Sequence, residues 1–204
     1  MKTFTCPSTP PSTPPSLALK KIAVYAVLAG VTAVLSGFLA PASAHIVFDN
    51  PVAVAGSNYK AVFRIGHGCG NSPLKQLVVT IPAGVQGAKP MPKAGWNLEI
   101  VREKLATPYV EYGRTISEDV RRISWTAKSK DDYLLNDWFD EFVLRAKLPS
   151  TPGMLYWSVA QVCEEGRMDW AQVPTPGQDP KKLKSPAATL DVQAAPSGSA
   201  EHHH

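Results

Sequence analysis

A chain of 204 residues with 21 Lys and Arg against 17 Asp and Glu is mildly basic, at a formal charge of +4. The surplus sits at one end: residues 1–44 hold Lys2, Lys20 and Lys21 and no acid, so the remainder carries 18 cations against 17 carboxylates and a formal charge of +1. So small a charge excludes a nucleic-acid partner held by net charge, and the remaining stretch of about 160 residues is the size of one domain with its own core.

The chain opens on "MKTFTCPSTPPSTPPS", whose Pro, Ser and Thr content reads as a disordered start without a function of its own. Lys20 and Lys21 then lead into Ile22–Leu39, which has no charge, and on to Ala42-Ser43-Ala44. A basic approach, an apolar run and an A-x-A box predict a signal peptide cleaved after Ala44. The run is just long enough to span a bilayer, but the adjoining A-x-A box and the polar sequence beyond it favour cleavage. Residues 1–44 are therefore expected to be removed, which makes His45 the first residue of a periplasmic or secreted chain.

From Ile46 short strand-like pieces alternate with turn signals. "HIVFDNP" comes first, and Tyr59–Ile65 predicts a strand before the loop Gly66-His67-Gly68-Cys69-Gly70-Asn71. Leu74–Ile81 predicts the next strand. Trp96, Leu98 and Ile100 alternate with Asn97, Glu99 and Val101, and another strand is expected around Val120–Ala127. "DEFVLRAKLP", "MLYWSVAQVCEEG" and "MDWAQVP" follow. Short strands at hairpin spacing with no long amphipathic helix predict an all-β fold, a single antiparallel β-sandwich over residues 45–174. After Pro174 the Pro, Ala, Gly and Ser content predicts a mobile tail over 175–204, with 187–192 as a candidate edge strand. The terminal His202–His204 read as natural or as the remnant of a tag, and are left out of any site. Removal of the leader takes Cys6 with it and leaves Cys69 and Cys163, an even pair in an oxidising compartment, so a Cys69–Cys163 disulfide is expected rather than a thiolate metal site.

Nucleophilic hydrolysis has little to work with. Before the tail the mature chain holds only two histidines, His45 and His67, has no G-x-S-x-G, and bridges its cysteines. Nor does "GHGCG" have the spacing of a nucleotide loop. Metal chemistry fits better. Once Ala44 is gone, His45 offers a free α-amine and an imidazole, two nitrogens able to close a chelate on Cu(II) at neutral pH. A carboxylate would complete the site. Period two places His45, Val47 and Asp49 on one strand face, although Asp49 lies about 13 Å along a straight strand; it reads equally as a turn cap before Asn50-Pro51. Glu141 in "FDEFVLR" is the second candidate, against an ordinary solvated position. Trp170 in "RMDWAQVP" reads as core packing or as an indole set against a bound cation.

Taken together, the signal-AH junction, "YKAVFR", "HGC", "KPMPKAGW", "DEFVLRAKLP" and the late acidic-Trp pair of "CEEGRMDWAQVP" resemble the YcnI-like copper-binding family, over about His45 to Pro174. The resemblance implies an Ig-like β-sandwich outside the cytoplasmic membrane that holds Cu(II) in a monohistidine brace, with an acidic ligand and a tryptophan nearby. By position the brace falls on His45 and the tryptophan on Trp170. The acid falls less clearly, because Asp49 stands where relatives often carry Glu and Val52 where some carry an acid, so Asp49 and Glu141 both stay open.

The expectation is a copper-binding or trafficking protein without turnover. Its partners would be the copper ion and a membrane copper transporter or periplasmic carrier, with no nucleic acid and no small-molecule substrate. Two alternatives stand beside it. A histidine-brace copper monooxygenase would need His67 as a second ligand, and a metal-free Ig-like adhesion or assembly module would need neither histidine.

Overall fold

In Asn58–Ile65 the side chains of Tyr59, Ala61, Phe63 and Ile65 are buried while Lys60 and Arg64 are exposed, the alternation of a strand with one face on a core. Similar patterns build the rest of the structure, a computed structural model that describes residues 45–196. The leader expected over 1–44 and the terminal histidines lie outside the described residues. The strands are β1 (Val47–Phe48), β2 (Val52–Val54), β3 (Asn58–Ile65), β4 (Leu74–Thr80), β5 (Gln86–Pro90), β6 (Trp96–Glu111), β7 (Arg114–Ala127), β8 (Asp140–Lys147), β9 (Gly153–Cys163), β10 (Arg167–Trp170) and β11 (Ala188–Gln193). Helix among the described residues is confined to the 3-10 turns Lys130–Asp132 and Pro180–Lys182, and no helix there is long and apolar enough to cross a membrane.

Two sheets form the expected sandwich. One has the order β1-β3-β8-β5; the other runs β2-β11-β9-β4-β7-β6, with β10 also paired to β9. Their inner faces meet in aromatic clusters. Phe48 and Phe63 from the first sheet pack on Trp157 of β9 at centroid distances of 5.7 and 5.9 Å, and Phe142 of β8 meets Trp96 and Trp125 at 5.1 and 5.6 Å. Such edge-on contacts add about 0.5–1.5 kcal/mol each beyond area burial. The Trp125 indole N–H donates to the Met91 carbonyl at 3.0 Å, so its polar edge is satisfied inside the core. The described residues all belong to one unit, Ser43–His204, which carries this core.

The domain boundary expected at Pro174 is corrected. The chain crosses the Pro-rich stretch and returns as β11, with Ala188, Leu190 and Val192 in the core. Nor is β11 an edge strand: it lies between β9, antiparallel, and β2, parallel. The candidate strand at 187–192 is present as Ala188–Gln193, with Ala188, Leu190 and Val192 alternating as in a half-buried strand, whereas the Pro, Gly and Lys ahead of it pointed to a tail.

Cys69 and Cys163 are bridged, with Cα atoms 5.9 Å apart and a separation of 94 positions in sequence. Closing so long a loop stabilises a fold by about 3–5 kcal/mol in the chain-entropy picture.

Strands β6 and β7 form a hairpin longer than the pieces expected at Trp96–Val101 and Val120–Ala127. Pairing continues out to Glu111 opposite Arg114. The two-residue turn puts Tyr112 at φ 49° and Gly113 at φ 74°, the positive pair that suits a hairpin's twist. Beyond Arg102 the arm leaves the core, and its root is held by the buried Asp119, whose carboxylate accepts from the Gly87 amide at 2.8 Å and the Tyr109 hydroxyl at 2.9 Å.

Candidate metal centre

Burial of Ile46 and Phe48 decides where His45 goes. With those two side chains in the core, alternation leaves His45, Val47 and Asp49 exposed on the outside. Strand β1 is fixed at the sheet edge by Val47 opposite Arg64 and Phe48 opposite Phe63. His45 therefore stands at the start of the sandwich, at the end of β3 that runs into the His67 loop.

Trp170 meets it there. The indole is buried in the core, and its ring lies 5.7 Å from the His45 imidazole, edge-on at 78°. Strand β10 delivers it through the pairing of Trp170 with Val159 on β9. The indole N–H donates to the Gln161 side-chain carbonyl at 2.6 Å, and the Gln161 amide donates to the His67 carbonyl at 2.9 Å. That loop is closed by the disulfide and by reciprocal backbone bonds between Cys69 and Ser72. Gly68 is required in it, since a Cβ there would lie 1.9 Å from the Ser72 carbonyl oxygen. The tryptophan is thus oriented by a buried amide, and the amide by a cross-linked loop.

Gln161 is a residue that reasoning from residue types missed. A signal for it exists: on β9 the buried side chains run Trp157, Val159, Gln161, Cys163, and a glutamine in that series needs partners inside the core.

The other expected residues are placed as follows. Asp49 leaves β1 at a bend. Its amide donates to the Val62 carbonyl at 3.1 Å, and its carboxylate accepts from the Asn50 side chain at 3.3 Å. Its charge is felt by Tyr59, whose hydroxyl is pushed well above the usual tyrosine range, first by burial and then by Asp49. Tyr59 donates to the Asn50 carbonyl at 2.5 Å, so this bend is tied toward Tyr59. Glu141 is exposed on the outer face in register with Arg64, which is itself opposite Val47; two strand spacings, about 10 Å, separate Glu141 from β1. Asp169, beside Trp170, is held by Arg167, which donates to it at 2.7 to 2.9 Å and draws its carboxyl below the usual range. His67 has its Nδ1 2.6 Å from the Gly68 carbonyl, as a loop residue would. Among the described residues no three His, Cys, Asp or Glu side chains gather as a metal cluster. If the chain begins at His45, that residue would offer an α-amine and an imidazole, two nitrogens of a kind that can hold a divalent transition metal. A mostly apolar groove of about 350 Å³ lined by His45, Val47, Pro51, Pro180, Pro186 and Thr189 opens beside it.

Residues 45–192 match the family model described as "Domain of unknown function (DUF1775)". No curated protein matches the chain. Among solved structures, an uncharacterized protein from Nocardia farcinica, described as revealing an immunoglobulin-like fold, is similar at 22% identity and a TM-score of 0.56, over 72% of this chain and 97% of that one. A protein from Corynebacterium diphtheriae described as a "Putative membrane anchored protein" is similar at 9% identity and a TM-score of 0.38, over 76% of this chain and 34% of that one. The first likeness agrees with the two-sheet sandwich and carries the fold alone.

Proposed function

The chain belongs to the DUF1775 family, and from that premise we propose that it is a YcnI-like exported protein that binds one Cu(II) at its processed amino terminus and serves copper homeostasis or delivery. The observation that carries the reading is the contact of His45 with Trp170, an exposed imidazole at the first position after an A-x-A box lying edge-on to a buried indole. In this reading the α-amine and imidazole of His45 take up the ion, the indole excludes water from one side of it, and Gln161 keeps the indole in place. Copper held in this way is neutralised and carried, and the chain's own residues need perform no turnover. Asp49 and Glu141 are the carboxylates offered to the remaining positions.

Protein exported from its host should show an intact mass that begins at His45. Titrated with Cu(II), it should bind one equivalent tightly. A variant with one extra residue before His45 loses the chelating amine and should bind Cu(II) markedly more weakly. Equal affinity in the extended protein would overturn the proposal.

A further inference from the structure

The outer face of the four-stranded sheet carries a row of cations that the copper reading does not use. Lys60 on β3 stands in register with Arg145 on β8, and Arg145 in register with Lys89 on β5. Three positive side chains therefore lie abreast across adjacent strands, and Lys147, two residues along β8, adds a fourth on the same face. All four are exposed. The ion pairs among the described residues join Lys93 to Asp140, Lys130 to Glu164 and Arg167 to Asp169, and none reaches this row. Like charges directly opposite one another weaken a sheet, so the row costs stability unless something anionic covers it.

The hairpin tip stands over the same ground. Val110 is 71% exposed and Tyr112 96% exposed, and both line a cleft of about 600 Å³ with Lys89, Arg145 and Lys147. Glu111, between them, supplies the carboxylate of that cleft. A valine and a tyrosine at the far end of a protruding turn have no core to join.

Cations beside a projecting aliphatic and phenolic tip are complementary to one kind of surface. Lipid phosphates attract lysine and arginine, while tyrosine settles at headgroup depth with its ring toward the acyl chains and its hydroxyl in water. We infer that this end of the molecule docks on an anionic lipid bilayer, with Lys60, Lys89, Arg145 and Lys147 on the phosphates and Val110 and Tyr112 entering the headgroup layer. A soluble polyanion would engage the cations and gain nothing from the tip. This docking does not depend on copper.

The test uses metal-free protein beginning at His45, the unit that carries its own core, with vesicles of mixed phosphatidylglycerol and phosphatidylcholine against phosphatidylcholine alone. Wild-type protein should float with the anionic vesicles only and be released by salt. Each cation near an anionic leaflet raises partitioning about five-fold, so Lys89→Glu with Arg145→Glu should lower it by at least about 25-fold. Tyr112→Ser should lower vesicle binding several-fold while leaving binding to heparin unchanged. Both variants alter exposed side chains, and thermal melts matching wild type confirm that they fold. No preference for anionic vesicles would overturn the inference, as would unchanged partitioning of the double charge reversal. Unchanged vesicle binding by Tyr112→Ser would overturn it in favour of a polyanion site.

Discussion

Gln161 joins the Trp170 indole to the backbone carbonyl of His67 through hydrogen bonds that neither residue's own sequence neighbourhood suggests. Gln161→Leu keeps the volume but leaves the Trp170 indole N–H and the His67 carbonyl without their partners. Each unsatisfied buried group costs about 1–3 kcal/mol, so urea unfolding should show a loss of about 2–6 kcal/mol with the slope unchanged. Near-ultraviolet dichroism of the tryptophans should weaken as the indole loses its anchor. At this scale sequence reasoning went far with single residues and poorly with their meetings. His45 could be picked out because a cleavage box precedes it, and Trp170 by residue type beside an acid. Parity placed Asp49 on the exposed face with His45 and Val47, as the structure has it, but it says nothing of how the bend at Asp49-Asn50 is tied to Tyr59. Gln161 and His67 are 94 positions apart, and only the disulfide hints that they share a neighbourhood.

At the level of elements, the β6–β7 hairpin depends on one buried carboxylate at its root. Burial, and then the hydrogen bond to Asp119, push the Tyr109 hydroxyl up to about 12 from an ordinary value of 10.0. The folded state thus holds the phenol neutral over a range where the unfolded chain has already ionised. The stabilisation this gives is complete below about pH 10 and is lost as pH rises from there through about 12. Urea midpoints should fall more steeply above pH 10 in wild type than in Tyr109→Phe, which removes this titration; the fall that remains includes Tyr59, whose hydroxyl burial also raises. Equal slopes in the two proteins would place the alkaline sensitivity elsewhere. The inner halves of β6 and β7 were legible because apolar residues alternate where they cover the core. Residues 102–118 were not, since an arm that leaves the core has no buried face to write into its sequence.

For the whole molecule, the closing strand decides stability. A chain ending at Pro174 loses Ala188, Leu190 and Val192 from the core and leaves β2 without its neighbour. Burying a Leu or Val stabilises by about 1.5–3 kcal/mol, so the loss approaches the total stability of an ordinary domain, about 5–15 kcal/mol. Calorimetry should find no cooperative transition in that truncated chain, whereas one ending just after Gln193 should melt as the complete sandwich does. The two-layer architecture was legible in strand spacing and in the want of helices. The strand order was not, because periodicity shows which face of a strand is buried and never which distant strand lies beside it. The parallel pairing of Val52 with Asp191 has a consequence in time. A chain emerging amino end first presents His45 and β2 well before Trp170, and the strand that locks β2 arrives last, so the edge-on meeting of His45 with the indole exists only in the finished molecule.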